Sequence, residues 1–305
     1  MISFNETFEG TFPFAPHMTD AAGFNMHYID EGEGPLLLCL HGEPTWGYLF
    51  RHLVTRLSNS YRFIVPDHMG FGKSETPANR SYWLQDHIHN IEQLVLALDL
   101  RNITLVMHDF GGPVGMGLAA RHPERISRLV FINAPAPLGQ EALAAAIQAN
   151  VAASPWFQWV MQAEKEGRLE TVLNESHYSI LSTLVLNGFE RRELITPLWL
   201  EAWRRPFATP EDCRGVTGWA KGFATGKHIF ETPSEAARIQ LSRLPALALW
   251  GAADKTLHAK HFLPLFHAAF PAGKAYELPG VGHYSLEDAP DTVALLVRQF
   301  LDLTR

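Results

Sequence analysis

The chain has 305 residues, of which 47% are hydrophobic and 19% are charged, and its formal net charge is -7 at a pI near 6.1. This composition excludes an intrinsically disordered chain, and the acidic balance argues against a nucleic-acid partner, which would require a basic surface. The length suits one large α/β domain that carries an insertion. We expect no membrane partner, because no apolar run approaches the roughly 20 residues of a membrane span.

Two features predict a cytoplasmic protein. No Lys or Arg precedes Arg51, whereas a secretory signal begins with a basic segment that is followed by an apolar one. The two cysteines, Cys39 and Cys213, lack metal-motif spacing, so we expect free thiols in a reducing compartment.

The first part of the chain alternates between the periodicities of strands and helices. Apolar and alternating runs predict strands, and apolar residues at helical spacing predict helices, as follows: strands at 24–29, 36–40 and 61–65, and helices at 51–57 and 83–98. The strand at 36–40 is apolar throughout, as strands are when helices cover both faces of a parallel sheet. It leads directly into a loop that contains His41, Gly42 and Glu43.

A predicted strand that begins at Ile103 turns sharply at Asp109 towards a predicted helix at 113–122, and another strand is predicted at 128–133. A strand–turn–helix with a reactive side chain at its apex is a nucleophile elbow, usually written G-x-S-x-G. Asp109 replaces the serine and Gly111 fills the second small position, whereas Met107 stands where the first glycine is expected. A carboxylate is already a nucleophile, and its attack on an sp3 carbon gives an ordinary ester. Asp109 therefore predicts a carbon–halogen bond, an epoxide or a strained lactone as the target; a simple helix cap is the alternative.

The middle of the chain has little strand signal and is predicted to be a helical cap. Helical runs occur at 140–152 and 171–186, and five of the eight tryptophans fall in this part: Trp156, Trp159, Trp199, Trp203 and Trp219. We therefore divide the chain into core residues 1–137, a cap at 138–241 and core residues 242–305. Such a cap would exclude water and shape an apolar pocket, although most of its tryptophans are expected only to pack against the core.

The core resumes with predicted strands at 244–250 and 274–278 and closes with a helix at 291–304. Asp254 and His283 each follow one of these strands, as Asp109 follows its own, so all three are expected at one edge of the sheet. Nucleophile, acid and histidine occur in the chain order of α/β-hydrolases. The backbone N–H groups of Glu43 and Phe110 are expected to hold the oxyanion that forms when water attacks an Asp109 ester.

Four segments resemble haloalkane dehalogenases: His41 to Trp46, Pro66 to Ser74, Leu98 to Gly112, and Gly282-His283. The resemblance covers roughly 24–137 and 244–303 and is weaker in the predicted cap. It implies an α/β-hydrolase fold, with a mostly parallel, doubly wound sheet and an inserted helical cap, and hydrolytic dehalogenation without metal or cofactor. Asp109 would be the nucleophile, His283 the base and Asp254 its orienting acid. The implied partners are water and a small apolar halogenated or epoxide substrate, and the implied assembly is a monomer or homodimer.

One departure from the family concerns the leaving group. Members typically have a tryptophan after the nucleophile, whose indole N–H holds the departing halide, but Phe110 has no side-chain donor. Trp156 and Trp159 are candidate donors from the cap. Epoxide hydrolases share the triad and protonate the alkoxide with cap tyrosines, which makes Tyr178 the candidate for that alternative. A β-lactone substrate and a non-catalytic binding protein are further alternatives, although an intact triad argues against the latter.

Overall fold

The computed structural model of the protein describes residues 2–136, 138, 140–175 and 188–305, without the side chains of residues 140, 141 and 175. The described strands form one eight-stranded sheet in the order β1-β2-β4-β3-β5-β6-β7-β8. Their bounds are β1 Pro16–Thr19, β2 Met26–Glu31, β3 Leu36–Leu40, β4 Arg62–Pro66, β5 Ile103–His108, β6 Ile126–Ile132, β7 Ala246–Gly251 and β8 Lys274–Leu278. β2 pairs antiparallel with β1 and β4, and all other neighbours pair in parallel. The predicted mostly parallel sheet is confirmed.

Helices cover the sheet and form most of the described part of the long connection between β6 and β7. In chain order the described α-helices are α1 Arg51–Leu57, α2 Leu84–Ala97, α3 Gly111–Arg121, α4 Gln140–Ala153, α5 Pro155–Lys165, α6 Leu169–Glu175, α7 Pro197–Arg204, α8 Arg214–Ala224, α9 Glu235–Ser242, α10 Ala259–Ala269, α11 Ser285–Asp288 and α12 Pro290–Leu303. None of the described helices has the length and apolar character that a membrane crossing requires.

The sheet order brings the ends of β3 and β5 side by side. From β3 the chain moves to β4 on one side and then returns to β5 on the other, and Leu40 lies in register with Met107. Open α/β sheets place their sites at such a switch point, beyond the carboxyl ends of the strands. Every residue of β5 is buried, because helices cover both faces of the sheet there.

Most predicted elements match the structure within a few residues, and β3, α1 and β8 match at both ends. Several described elements were not predicted with bounds, and for two of them the sequence shows why. β1 is a four-residue edge strand that begins with Pro16, too short for a clear alternation. α10 contains Pro264, which interrupts the helical pattern in the sequence. α6 contains the beginning of the helix predicted at 171–186, and residues 176–187 lie outside the described residues.

Two tryptophans join the connection between β6 and β7 to the core. The Trp199 indole N–H donates to Glu287 Oε2 at 3.1 Å, and the Trp46 indole N–H donates to the Ala202 carbonyl at 3.1 Å. Both bonds are buried, and both involve α7. The helices of this connection therefore pack directly onto the part of the core that follows β3 and β8.

Candidate active site

Asp109 stands at a strained turn between β5 and α3. Its φ is +51°, in the left-handed region that non-glycine residues seldom adopt. α3 starts so close to β3 that a Cβ on Gly111 would lie 2.0 Å from the Leu40 carbonyl oxygen. A Cβ on Gly115 would lie 2.5 Å from Met107 Sδ. The small residue that makes room for Met107 therefore lies in the helix, which explains how the elbow forms without a glycine at position 107.

The two oxygens of Asp109 have different surroundings. Oδ1 accepts the backbone N–H of Glu43 at 3.0 Å, and Oδ2 lies 3.5 Å from His283 Nε2. A Cβ on Gly42 would lie 2.3 Å from Oδ1, so the loop after β3 can approach the carboxylate only with glycine at that position. The predicted oxyanion donor Glu43 thus bonds to one oxygen, while the other faces the predicted base.

His283 is held from its far side by a buried carboxylate. His283 Nδ1 lies 2.8 Å from Asp254 Oδ2. Asp254 Oδ2 also accepts the Asn133 amide at 2.8 Å, and Oδ1 accepts the backbone N–H groups of Thr256 and Leu257 at 2.8 Å each. With these donors in place the carboxylate is fixed, and so is the orientation of the imidazole ring.

The paired charges shift the pKa values of both reacting groups. Burial disfavours the imidazolium, but the carboxylates of Asp254 and Asp109 outweigh it and raise the pKa of His283 to about 10. Burial likewise opposes ionisation of Asp109, yet the His283 imidazolium, nearby His108 and the Glu43 N–H lower the pKa of Asp109 below its usual value. The lowered pKa favours Asp109 as a carboxylate, the form that a predicted nucleophile requires.

Asn133 was not predicted as a site residue. It follows β6 directly, has φ +46° and is fully buried. Its side-chain amide nitrogen donates to Asp254, and its side-chain oxygen Oδ1 accepts the Ser285 hydroxyl and the Gly251 N–H. The available signal was a polar residue of a type that tolerates the left-handed region, placed just past a buried parallel strand.

An apolar cavity opens above Asp109, and its space free of protein atoms measures about 440 Å³, part of it open to solvent. Its described lining is apolar except for Asp109 and Asn150, and consists of Phe110, Pro113, Pro135, Ile147, Val151, Phe157, Phe223, Phe230, Leu257 and Phe262. The Asn150 amide already donates to the Thr256 carbonyl and accepts the His258 N–H. The described lining therefore suits a hydrocarbon and offers a departing anion little stabilisation.

The predicted leaving-group residues are dispersed. Phe110 lines the cavity and packs on Trp219, with 4.5 Å between ring centroids. Trp156 and Trp159 stack on each other at 5.2 Å and do not belong to the described lining, so their role as donors stays a prediction. Tyr178 lies outside the described residues. The Trp219 indole N–H donates to His87 Nε2 and is not free for a ligand.

Within the described ranges, no group of three or more His, Cys, Asp or Glu side chains is arranged to hold a metal ion.

Comparison with known proteins identifies the class. Residues 35–290 match a family model described as alpha/beta hydrolase fold. The chain therefore belongs to this family of α/β-hydrolases, and it is a hydrolase.

Similar proteins within the family confirm the predicted resemblance. A cis-3-alkyl-4-alkyloxetan-2-one decarboxylase of Shewanella oneidensis is 32% identical over 96% of this chain and 90% of its own. Haloalkane dehalogenase 2 of Mycobacterium tuberculosis is 29% identical over 94% of both chains. The crystal structure of an epoxide hydrolase mutant from Bacillus megaterium superposes with a TM-score of 0.77 at 23% identity, covering 94% of this chain and 100% of the other, and supports the fold alone.

Proposed function

We propose that this hydrolase uses Asp109 to displace a leaving group from an sp3 carbon, as a haloalkane dehalogenase does, and then hydrolyses the resulting ester. The observation that carries the proposal is the separation of the Asp109 oxygens: Oδ1 bonds to the Glu43 N–H, and Oδ2 lies 3.5 Å from His283 without a well-formed hydrogen bond. One oxygen can therefore attack while the other stays in the oxyanion site.

In the first step Oδ2 forms a bond to carbon as the carbon–halogen bond breaks and halide leaves. Asp109 then becomes a neutral ester, and one of the two carboxylates that raise the pKa of His283 is lost. The imidazolium can then release its proton and serve as a base. In the second step His283 takes a proton from water, and the hydroxide attacks the ester carbonyl. The Glu43 N–H stabilises the oxyanion, and collapse releases an alcohol and restores the carboxylate.

The apolar cavity supports a small hydrocarbon substrate with one reactive carbon. In this proposal the predicted cap, residues 138–241, covers Asp109 and restricts the access of water to the site. The 29% identical relative, named haloalkane dehalogenase 2, points to a carbon–halogen bond as the first substrate to test.

A strained lactone is the second candidate substrate. The observation that favours it is the described lining, which has no indole N–H beside Asp109 to receive a halide. Opening of an oxetan-2-one ring at its sp3 carbon leaves a carboxylate that stays attached to the substrate. The S. oneidensis relative is named for an alkyloxetan-2-one substrate.

The proposal predicts that His283→Gln separates the two steps. Because alkylation needs only the Asp109 carboxylate, the variant should accumulate one alkyl group per chain on the peptide that contains Asp109, while turnover falls by about 10²-fold or more. Intact-protein and peptide mass spectrometry with 1-bromohexane measures this adduct. Asp109→Asn in the same background is the matched control and should stay unmodified. An unmodified Asp109 peptide in His283→Gln, with every electrophile in a panel of bromoalkanes, epoxides and β-lactones, would contradict the proposal.

A further inference from the structure

We propose that the site has a further activity, the opening of epoxides, in which the carboxylic acid of Glu43 protonates the departing ring oxygen. The inference rests on the proposed Asp109 ester and adds to it a proton donor and a substrate class. Halide leaves without a proton, whereas the alkoxide from an epoxide is strongly basic and requires an acid.

Glu43 is a buried acid without a counter-ion. Its residue is 8% exposed, and its Oε1 atom is buried without a hydrogen-bond partner. Among the ion pairs of the described residues, none includes Glu43; the buried cation Arg51 pairs instead with Glu287. A buried carboxylate in this position would have nothing to balance its charge.

The charges nearby also favour the neutral acid. Asp109 and Asp254 are two carboxylates that share one imidazolium, His283, so the cluster is already negative. A charged Glu43 would add a second uncompensated negative charge to a buried site. Burial, and then repulsion from Asp109, raise the pKa of Glu43 well above its usual range. Both effects favour the protonated form of Glu43.

The backbone of Glu43 lies beside the nucleophile of the proposed function. Its own backbone N–H bonds to Asp109 Oδ1 at 3.0 Å, and its side chain is close enough to Asp109 and Tyr284 for charge to act between them. The acid thus comes from the loop after β3, which also supplies the oxyanion donor. The sequence predicted a different donor, Tyr178 in the β6–β7 connection, which lies outside the described residues.

The reaction itself makes Glu43 a stronger acid at the moment when its proton is needed. As Asp109 Oδ2 bonds to carbon and the ring C–O bond breaks, the Asp109 charge disappears into the ester and the repulsion that raises the pKa of Glu43 is removed. The ring oxygen takes the Glu43 proton and becomes a hydroxyl. Hydrolysis of the ester then releases the diol, and the proton freed when the Asp109 carboxylate re-forms returns to Glu43. The sum is epoxide plus water giving diol.

The test compares two electrophiles in one variant. Glu43→Gln is introduced into the His283→Gln background, which removes the imidazolium as a rival proton donor, and adduct formation is timed by mass spectrometry with 1,2-epoxyhexane and with 1-bromohexane. We expect the ratio of the epoxide rate to the bromide rate to fall by about 10²-fold or more, because general acids contribute in this range. The bromide reaction serves as the internal control for folding and for access to the cavity.

Each other outcome has one meaning. An equal slowing of both electrophiles would show that Glu43 only positions the loop, and would overturn the inference. Alkylation of the His283→Gln parent by bromide but not by epoxide would also overturn it, while leaving the Asp109 ester established. The absence of an adduct with 1,2-epoxyhexane would overturn the inference, and the absence of an adduct with every electrophile in the panel of bromoalkanes, epoxides and β-lactones would overturn the proposed function as well.

Discussion

Asn133 connects the predicted acid and the predicted base of the site through one buried amide. Its side-chain nitrogen donates to Asp254 at 2.8 Å, and its side-chain oxygen Oδ1 accepts the Gly251 N–H at 3.3 Å and the Ser285 hydroxyl. Gly251 ends β7, whereas Asp254 and Ser285 follow β7 and β8, so a residue from the end of β6 ties together the two loops that hold Asp254 and His283. Because each partner is buried, each loses a hydrogen bond that water cannot replace if the amide is removed.

Replacement of Asn133 by alanine is expected to lower the free energy of unfolding by about 2–4 kcal/mol, from the unsatisfied partners and from the φ of +46°. Urea unfolding monitored by circular dichroism measures this loss. Asn133→Gly removes the same hydrogen bonds without the backbone strain, and should be about 1 kcal/mol more stable than the alanine variant. An alanine variant as stable as the parent chain would show that the amide network contributes little.

At the scale of elements, a buried ion pair joins α1 to α11 and supports α7. Arg51 binds Glu287 through its two terminal guanidinium nitrogens, Nη1 and Nη2, and Glu287 also accepts the Trp199 indole N–H at 3.1 Å. Both charged side chains are almost fully buried. Loss of one partner would leave the other charge uncompensated, so this pair controls how the connection between β6 and β7 docks on the core.

Glu287→Gln is therefore expected to lower the free energy of unfolding by about 3–5 kcal/mol, because Arg51 would stay buried and charged. The protein supplies a matched control in Arg56 and Asp291, a nearby pair whose Asp291 side chain is 87% exposed. Asp291→Asn should cost less than about 1 kcal/mol, since exposed pairs contribute little. Chemical denaturation of the two variants measures the difference. Equal losses would contradict the role assigned to the buried pair.

At the scale of the whole molecule, buried histidines set the stability at low pH. Burial lowers the pKa of His41 and His108 to about 4 and lowers that of His68 and His87 well below the usual value. The unfolded chain takes up these protons near pH 6.5, whereas the folded chain does not. The contribution of the neutral imidazole rings to the free energy of unfolding is thus fully present above pH 6.5 and is lost as the pH falls from 6.5 towards 4. His283 has the opposite sign: its contribution is complete below pH 6.5 and is lost as the pH rises through about 10.

We expect the free energy of unfolding to fall steeply between pH 6.5 and 4, with about 3 kcal/mol lost for each of His41 and His108 by pH 4. Urea titrations at intervals of pH measure the slope, which reports the protons taken up on unfolding. Carboxylates add to the same slope, so a variant isolates the histidine part. His68→Gln keeps a donor for the His41 carbonyl and should reduce the uptake by nearly one proton. An unchanged slope of the free energy of unfolding against pH in His68→Gln would contradict the role of the buried histidines.

The sequence by itself determined the sheet and the placement of the main site residues. Periodicity located the strands from β2 to β8. Asp109 follows β5 directly, and Asp254 and His283 lie in the loops after β7 and β8. Parallel strands end at one edge, so a residue just past a strand end is placed there by local information alone. The chain order and the elbow then indicated the hydrolase class.

The tertiary structure decided which polar groups meet and which stay unsatisfied. Asn133 reaches Asp254 across 121 positions of the chain, and Trp219 gives its N–H to His87 across 132 positions. The burial of Glu43 without a counter-ion depends in the same way on elements that are distant in sequence. Hydrogen bonding and desolvation are properties of the packed neighbourhood, whereas periodicity and strand ends are properties of a few consecutive residues. For this reason the sequence could indicate the nucleophile, and only the fold could reveal a candidate proton donor beside it.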